Sequence, residues 1–313
     1  MTEGHRTTGR VRRITLDAGD GIALSALLAE PVAADGAMPP RSVIVALHGG
    51  GMRAGYFDGP GQPPTSLLEL AARLGWTVLA PDRPGYGGSA DRLPEGLPLA
   101  EQAAVLRTAL RRYADRRPVG SGCFLAAHSY GGKLALAMAA QSADGDGPHL
   151  IGADISGLGH RWAVDHLAPE RAGPYPSRLH WGPLRCYEPA AFRHAAGLAG
   201  PMPAREAAEL ACWPETFDAL APRVRVPLRL TFAEHERWWR HDRATLADMA
   251  SRIGSRTVML DRQPGAGHNI SLGLAARAYH LRLLGFLEDC LASEAIGGPV
   301  PSPVPATTAR EAQ

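Results

Sequence analysis

The chain has 313 residues, 45% of them hydrophobic and 20% charged, with a net charge of +2. That is room for one large α/β domain with an insertion, or for two small domains, in an ordinary globular enzyme. The positive residues are scattered rather than striped, which argues against a nucleic-acid or anionic-membrane partner. Almost every cation is arginine; Lys133 is the single lysine, a bias that reads as compositional rather than functional. Met1 to Arg13 are polar and basic without an apolar core, so no signal peptide is expected. No apolar run approaches the roughly 20 residues that cross a bilayer. Cys123, Cys186, Cys212 and Cys290 lack CxxC spacing, so a metal cluster is not expected. Free thiols in a reducing cytoplasm are favoured over a Cys186–Cys212 bridge.

The elements follow in chain order. Val11–Asp17 and Ile22–Glu30 alternate in polarity around Gly19-Asp20-Gly21 and predict an antiparallel hairpin. The apolar run Ser42–Leu47 predicts a strand buried on both faces. Helix Ser66–Leu74 and strand Thr77–Ala80 follow, then helix Ala100–Tyr113 and strand Cys123–Ala127, then helix Tyr130–Ala140 and strand Leu150–Ile155. After a gap the rhythm resumes with strand Pro227–Phe232, helix Asp242–Ile253, strand Thr257–Leu260 and helix Ala275–Leu291. Such alternation implies a mainly parallel sheet covered by helices on both faces. Between Ser156 and Val226 the buried-strand signal vanishes, leaving short helical pieces at Glu188–Leu198 and Ala204–Trp213. This stretch gathers Trp162, Tyr175, Trp181, Tyr187, Phe192, Trp213 and Phe217, which either fill a small helical subdomain or line a lid. The end, from about residue 293, is rich in Pro, Ala, Ser and Thr and predicts a disordered tail.

Ala127-His128-Ser129-Tyr130-Gly131 lies between a predicted buried strand and a predicted helix. Attack on a carbonyl needs a serine oxygen held clear of the surface, and a sharp strand-to-helix turn with small neighbours provides that. The pentapeptide matches G-x-S-x-G with Ala127 in the first glycine place, and Ser129 becomes the candidate nucleophile. A strand ending in a serine N-cap is the competing reading.

From Val43 to about Leu291 the chain resembles the α/β-hydrolase superfamily. The resemblance implies an α/β fold with a mostly parallel eight-stranded sheet flanked by helices. It also implies a helical cap after the sixth strand, and a triad in the order Ser, acid, His. The core then comprises residues 1–156 and 227–292, the cap 157–226 and the tail 293–313. His48-Gly49-Gly50-Gly51-Met52 resembles the family's oxyanion loop, with Gly50 the first-choice donor, Gly51 the second, and the N–H of Tyr130 completing the hole. His48 is expected to brace that loop. Pro81-Asp82-Arg83-Pro84-Gly85-Tyr86-Gly87-Gly88-Ser89 matches a loop widespread in the family, with Asp82 and Arg83 expected to bond nearby backbone. Its glycines fit neither nucleotide-binding spacing.

The acid belongs just past the strand that follows the cap, where Ala233-Glu234-His235-Glu236 fits G-x-x-D with Ala for Gly and Glu for Asp. Glu236 is the choice, Glu234 its near rival and Asp242 a distant one; a solvated loop or a pairing with Arg237 or Arg240 is the alternative role for the glutamates. Gln263-Pro264-Gly265-Ala266-Gly267-His268 precedes the last helix and offers His268 as the base. The sequence around His235, Glu236 and His241 does not form H-E-x-x-H, so zinc is not indicated. His160, His166, His180 and His194 fall in the cap stretch as surface or substrate contacts.

The expectation is a cytoplasmic serine hydrolase cleaving a carboxylic ester or thioester through an acyl-enzyme, without metal or organic cofactor. Acyl transfer, amide cleavage and carbon–carbon hydrolysis share the machinery; a non-catalytic binding protein of the same fold is the contrasting class. Trp238, Trp239, Trp162 and Trp181 suggest a small-molecule substrate with a bulky apolar or aromatic acyl group.

Overall fold

The computed structural model describes residues 11–31, 40–61, 65–142, 147–164 and 177–298. Eight strands form one sheet: β1 (Arg12–Asp17), β2 (Ala23–Ala29), β3 (Val43–Leu47), β4 (Thr77–Pro81), β5 (Cys123–His128), β6 (Leu150–Ser156), β7 (Leu228–Ala233) and β8 (Val258–Gln263). Their spatial order is β1-β2-β4-β3-β5-β6-β7-β8. The hairpin β1–β2 is antiparallel and joins β4 antiparallel, while every pairing from β4 to β8 is parallel.

Alternation along β3 sorts the core into two layers. Val43, Val45 and Leu47 pack with α2 (Leu99–Ala114) and α3 (Tyr130–Gln141). Ile44 and Ala46 face α1 (Leu67–Arg73) and the long last helix. Burial on both sides is why β3 and most of β5 read as continuous apolar runs, while β6 is buried throughout yet carries Asp154. Ser66 starts α1 by accepting the Glu69 N–H at 3.1 Å, a cap worth about 1 kcal/mol. Strand β7 carries one buried cation, Arg229, held by Asp154 on β6 and by Asp261 on β8, with the Tyr279 hydroxyl donating to Asp154 at 2.7 Å.

Among the described residues between β6 and β7 lie four short α-helices, α4 (Ser177–Trp181), α5 (Pro189–Leu198), α6 (Ala204–Ala208) and α7 (Trp213–Leu220). The single helical piece expected over Ala204–Trp213 is two helices: α6 stops at Ala208, and Pro214 at the second position of α7 opens a new one. Trp213 and Phe217 are core, buried against α3. Helix α8 (Arg243–Arg252) begins at Asp242, whose carboxylate accepts the Thr245 N–H at 3.0 Å. The last helix, α9, runs Ala276–Ile296, four residues past the expected boundary at 292; Leu283, Leu284, Phe286, Leu287 and Cys290 bury one face, Ser293 continues it, and Gly297 ends the helix in a left-handed turn. The rest of the expected tail, residues 299–313, lies outside the described residues, as do Tyr175 and His166. Among the described residues all four cysteines are free, and no helix is long and apolar enough to cross a membrane.

Candidate active site

Ser129 sits between the last residue of β5 and the first of α3 with φ 52° and ψ −118°. For a side chain with a Cβ that backbone costs on the order of 1–3 kcal/mol, so the surroundings must impose it. They do. The Ser129 N–H donates to Ser156 O at 2.9 Å, tying the turn to the end of β6. On the other side Gly131 lets α3 press against β3, where a Cβ would stand 2.1 Å from Leu47 O. The glycine of the pentapeptide is thus demanded by the close approach of helix and strand. Ala127, within β5, is fully buried in the core.

Two further loops meet at this corner. The turn after β7 is closed by Glu236 N–H donating to Ala233 O at 3.1 Å. Glu236 Oε1 accepts the backbone N–H groups of Arg237 and Trp238, both at 2.9 Å, and Oε2 lies 2.8 Å from His268 Nδ1. The carboxylate is fully buried. Burial alone would raise its pKa, but the charge and hydrogen bond of His268, with the Trp238 and Arg237 N–H groups, outweigh it and hold it below the usual glutamate value. Glu234, two residues back, is only half-buried and is engaged elsewhere: its carboxylate accepts the Gly265 N–H at 2.8 Å, which lowers its pKa. Asp242 is spent on the N-terminus of α8. The histidine loop lies alongside the acid turn, with Glu234 N–H donating to Gln263 O at 2.9 Å and His235 N–H to Ala266 O at 3.0 Å. With Nδ1–H given to Glu236, His268 Nε2 carries the free lone pair.

Ser129 and His268 line one cavity of about 670 Å³. Trp162, Trp181, Trp238 and Trp239 line it too, so all four tryptophans of the sequence reading come together there. Trp162 and Trp239 form a bridge between the segments after β6 and β7, their rings stacked with centroids 3.9 Å apart. Phe192 joins them, whereas Tyr187 is buried beside it. His180 also lines the cavity, 6.1 Å from the His268 ring, and burial with the nearby charge of His268 brings it down to about 4. His160 and His194 have other partners, Asp248 and Gly55 O.

The glycine loop after β3 forms the opposite wall. Gly49, Gly50 and Gly51 all line the cavity. The Gly51 N–H, however, donates to the Tyr86 hydroxyl at 3.0 Å and its carbonyl accepts Gly200 N–H at 2.9 Å, which commits Gly51 to holding the loop. Tyr130 is the first residue of α3, where a backbone N–H has no partner within the helix. His48 accepts the Arg83 N–H on Nε2 at 3.0 Å and contacts Gly49 O through Nδ1 at 2.9 Å, a pattern that fits the neutral ring that burial favours. Asp82 accepts Ala54 N–H at 2.8 Å and Ser25 Oγ–H at 2.6 Å.

Three residues of this site escaped the sequence reading. Glu206, on α6, pairs with both terminal nitrogens of Arg83 at 2.7 and 2.9 Å, both side chains fully buried. Arg83 in turn donates to His48 O at 2.9 Å, so the inserted segment is fastened to the glycine loop. Nothing in the Ala-rich α6 sequence marks Glu206 as buried. Gly157, just after β6, has φ 61° and a Cβ there would stand 2.9 Å from His268 Cε1. Lys133, one turn into α3, lines the cavity; its uniqueness in the chain was the signal. Among the described residues no group of three His, Cys, Asp or Glu side chains could hold a metal ion.

A sequence profile of the α/β hydrolase family matches residues 44–280, and the chain belongs to that family and is by that membership a hydrolase. No curated protein matches the sequence. Among solved structures, a proline iminopeptidase of Mycobacterium smegmatis superposes with a TM-score of 0.62 at 17% identity, covering 90% of this chain and 100% of its own. A peroxisomal α/β-hydrolase of Saccharomyces cerevisiae gives 0.60 at 16% identity, covering 98% and 95%. A monoacylglycerol lipase of Paleococcus ferrophilus gives 0.59 at 16% identity, covering 85% and 99%. At such identities the likeness is one of fold.

Proposed function

We propose that the protein hydrolyses a carboxylic ester or thioester through an acyl-enzyme, with Ser129 as nucleophile, His268 as general base and Glu236 as the acid of the triad. The observation that carries the proposal is the buried 2.8 Å contact between Glu236 and His268 in a structure where His268 and the strained Ser129 line one cavity. Glu236 fixes the tautomer that leaves Nε2 free and stabilises the imidazolium once it forms. Ser129 Oγ attacks the carbonyl carbon while Nε2 takes its proton. The oxyanion then meets the N–H groups of Gly50 and Tyr130, reinforced by the N-terminus of α3. His268 returns the proton to the departing alcohol or thiol, and a water activated the same way releases the acid.

In this reading the helices α4 to α7 act as a cap, and Trp162, Trp181, Trp238 and Trp239 clasp the apolar part of the substrate. The resemblance of the fold to a monoacylglycerol lipase supports ester chemistry, although a peptidase shares the fold equally well. The test is Ser129→Ala with fluorophosphonate labelling. The wild type should label and turn over p-nitrophenyl esters, and the variant should do neither; full esterase activity in S129A would sink the reading.

A further inference from the structure

Lys133 is the only lysine among 33 lysines and arginines, and it lines the cavity one helical turn beyond Ser129. Its side chain is buried, and Nζ has no hydrogen-bond partner among the described residues. Rings surround it instead: Trp213 at 4.9 Å, Trp162 at 5.0 Å, Tyr130 at 5.2 Å and Trp239 at 5.8 Å from Nζ to centroid. The carboxylates nearest to it are engaged elsewhere, Glu206 with Arg83 and Glu209 with the Leu99 N–H and the Tyr130 hydroxyl. An apolar side chain of the same length would fill this place without the cost of desolvating an amine.

We propose that Lys133 is the recognition group for a carboxylate at the far end of the acyl chain, so that the enzyme takes half-esters or half-thioesters of dicarboxylic acids. The inference rests on the Ser129 esterase reading and names the substrate class for it. The charges facing Nζ are Glu206 and Glu209 from the inserted segment and Arg83 from the loop after β4. Burial, only partly offset by the two glutamates and reinforced by the charge of Arg83, brings the amine down to about 7. Such a lysine sits largely uncharged in the empty cavity above that pH and takes a proton from solvent when an anion arrives. Arginine could not do this, because its guanidinium does not deprotonate.

Two experiments test it. The first compares kcat/KM for the 4-nitrophenyl half-esters of adipate, suberate and sebacate with the neutral esters in which a methyl replaces the far carboxylate. The wild type should favour the charged member of at least one pair. Lys133→Met should move that ratio toward the neutral ester by about tenfold or more, the effect of losing a hydrogen bond to a charged group. A ratio that K133M leaves within twofold overturns the proposal. The second uses wild-type protein labelled with 13C at lysine Cε, in which one side chain reports. Suberate should raise the midpoint of its titration, and an unmoved midpoint overturns the proposal whether or not K133M folds. If S129A keeps esterase activity, the triad assignment fails, while the titration still decides the lysine.

Discussion

Replacing Glu206 by leucine removes the anion from the most enclosed ion pair of the molecule. Both side chains are fully buried, and Glu206 also accepts the Tyr86 hydroxyl at 2.8 Å. The Arg83 guanidinium would remain in the interior with, among the described residues, Gln102 Oε1 and the carbonyls of His48 and Gly49 as its acceptors. Breaking a buried pair this way costs about 3–5 kcal/mol, because the surviving charge is left uncompensated. For a domain of this size each kcal/mol lowers Tm by roughly 2–3 °C, so E206L should melt about 10 °C below wild type by calorimetry. Glu206→Gln keeps an acceptor without the charge and should fall between the two. The loss also has a direction. Glu206 is the fastening between α6 and the loop that carries Gly50, so hydrogen exchange in α6 should accelerate before that in β5. An E206L protein melting within 2 °C of wild type, with α6 protected as before, would refute the view that this pair holds the inserted segment down.

Glu236→Gln should leave the fold intact and lower kcat by on the order of 10³–10⁴, since an amide no longer selects the productive imidazole tautomer; Glu234→Gln, whose side chain meets the Gly265 N–H and Arg262 rather than His268, should stay within threefold in the same esterase assay. Because the Glu236 pKa is depressed in the folded state, its contribution to stability is present above the unfolded glutamate value near 4.5 and is lost as pH falls through the lower folded value. Thermal unfolding from neutral pH down to about pH 3 should therefore show a steeper acid loss for wild type than for E236Q; identical slopes would contradict the ionised, paired carboxylate. Gly157→Ala should depress kcat more than it depresses Tm, because the added methyl meets the His268 ring; a variant with unchanged kcat would show that the ring yields without consequence.

The sheet was legible because burial on both faces makes β3 and most of β5 apolar throughout, and such runs fix the strand–helix alternation. Ser129 and His268 were legible for a related reason: sharp turns at strand ends need small residues, and glycines mark them. The choice between Glu236 and Glu234 was not, since both sit in one polar turn and only the fold decides which side chain turns inward. Glu206 was hidden more deeply. Its partner Arg83 lies 123 positions away, and a buried glutamate in a short amphipathic helix looks like a solvated one until the opposite wall is known. Lys133 is the instructive case: the composition singles it out, but only the fold shows that it lines the cavity beside Ser129. On the proposal made above, the lone lysine of a chain otherwise supplied with arginine marks a place where permanent charge would be wrong. An arginine there would need a standing counter-ion, and Glu206 and Glu209 are already committed. An amine able to shed its proton can wait in an apolar chamber, and this ties the composition of the chain to the contents of its cavity.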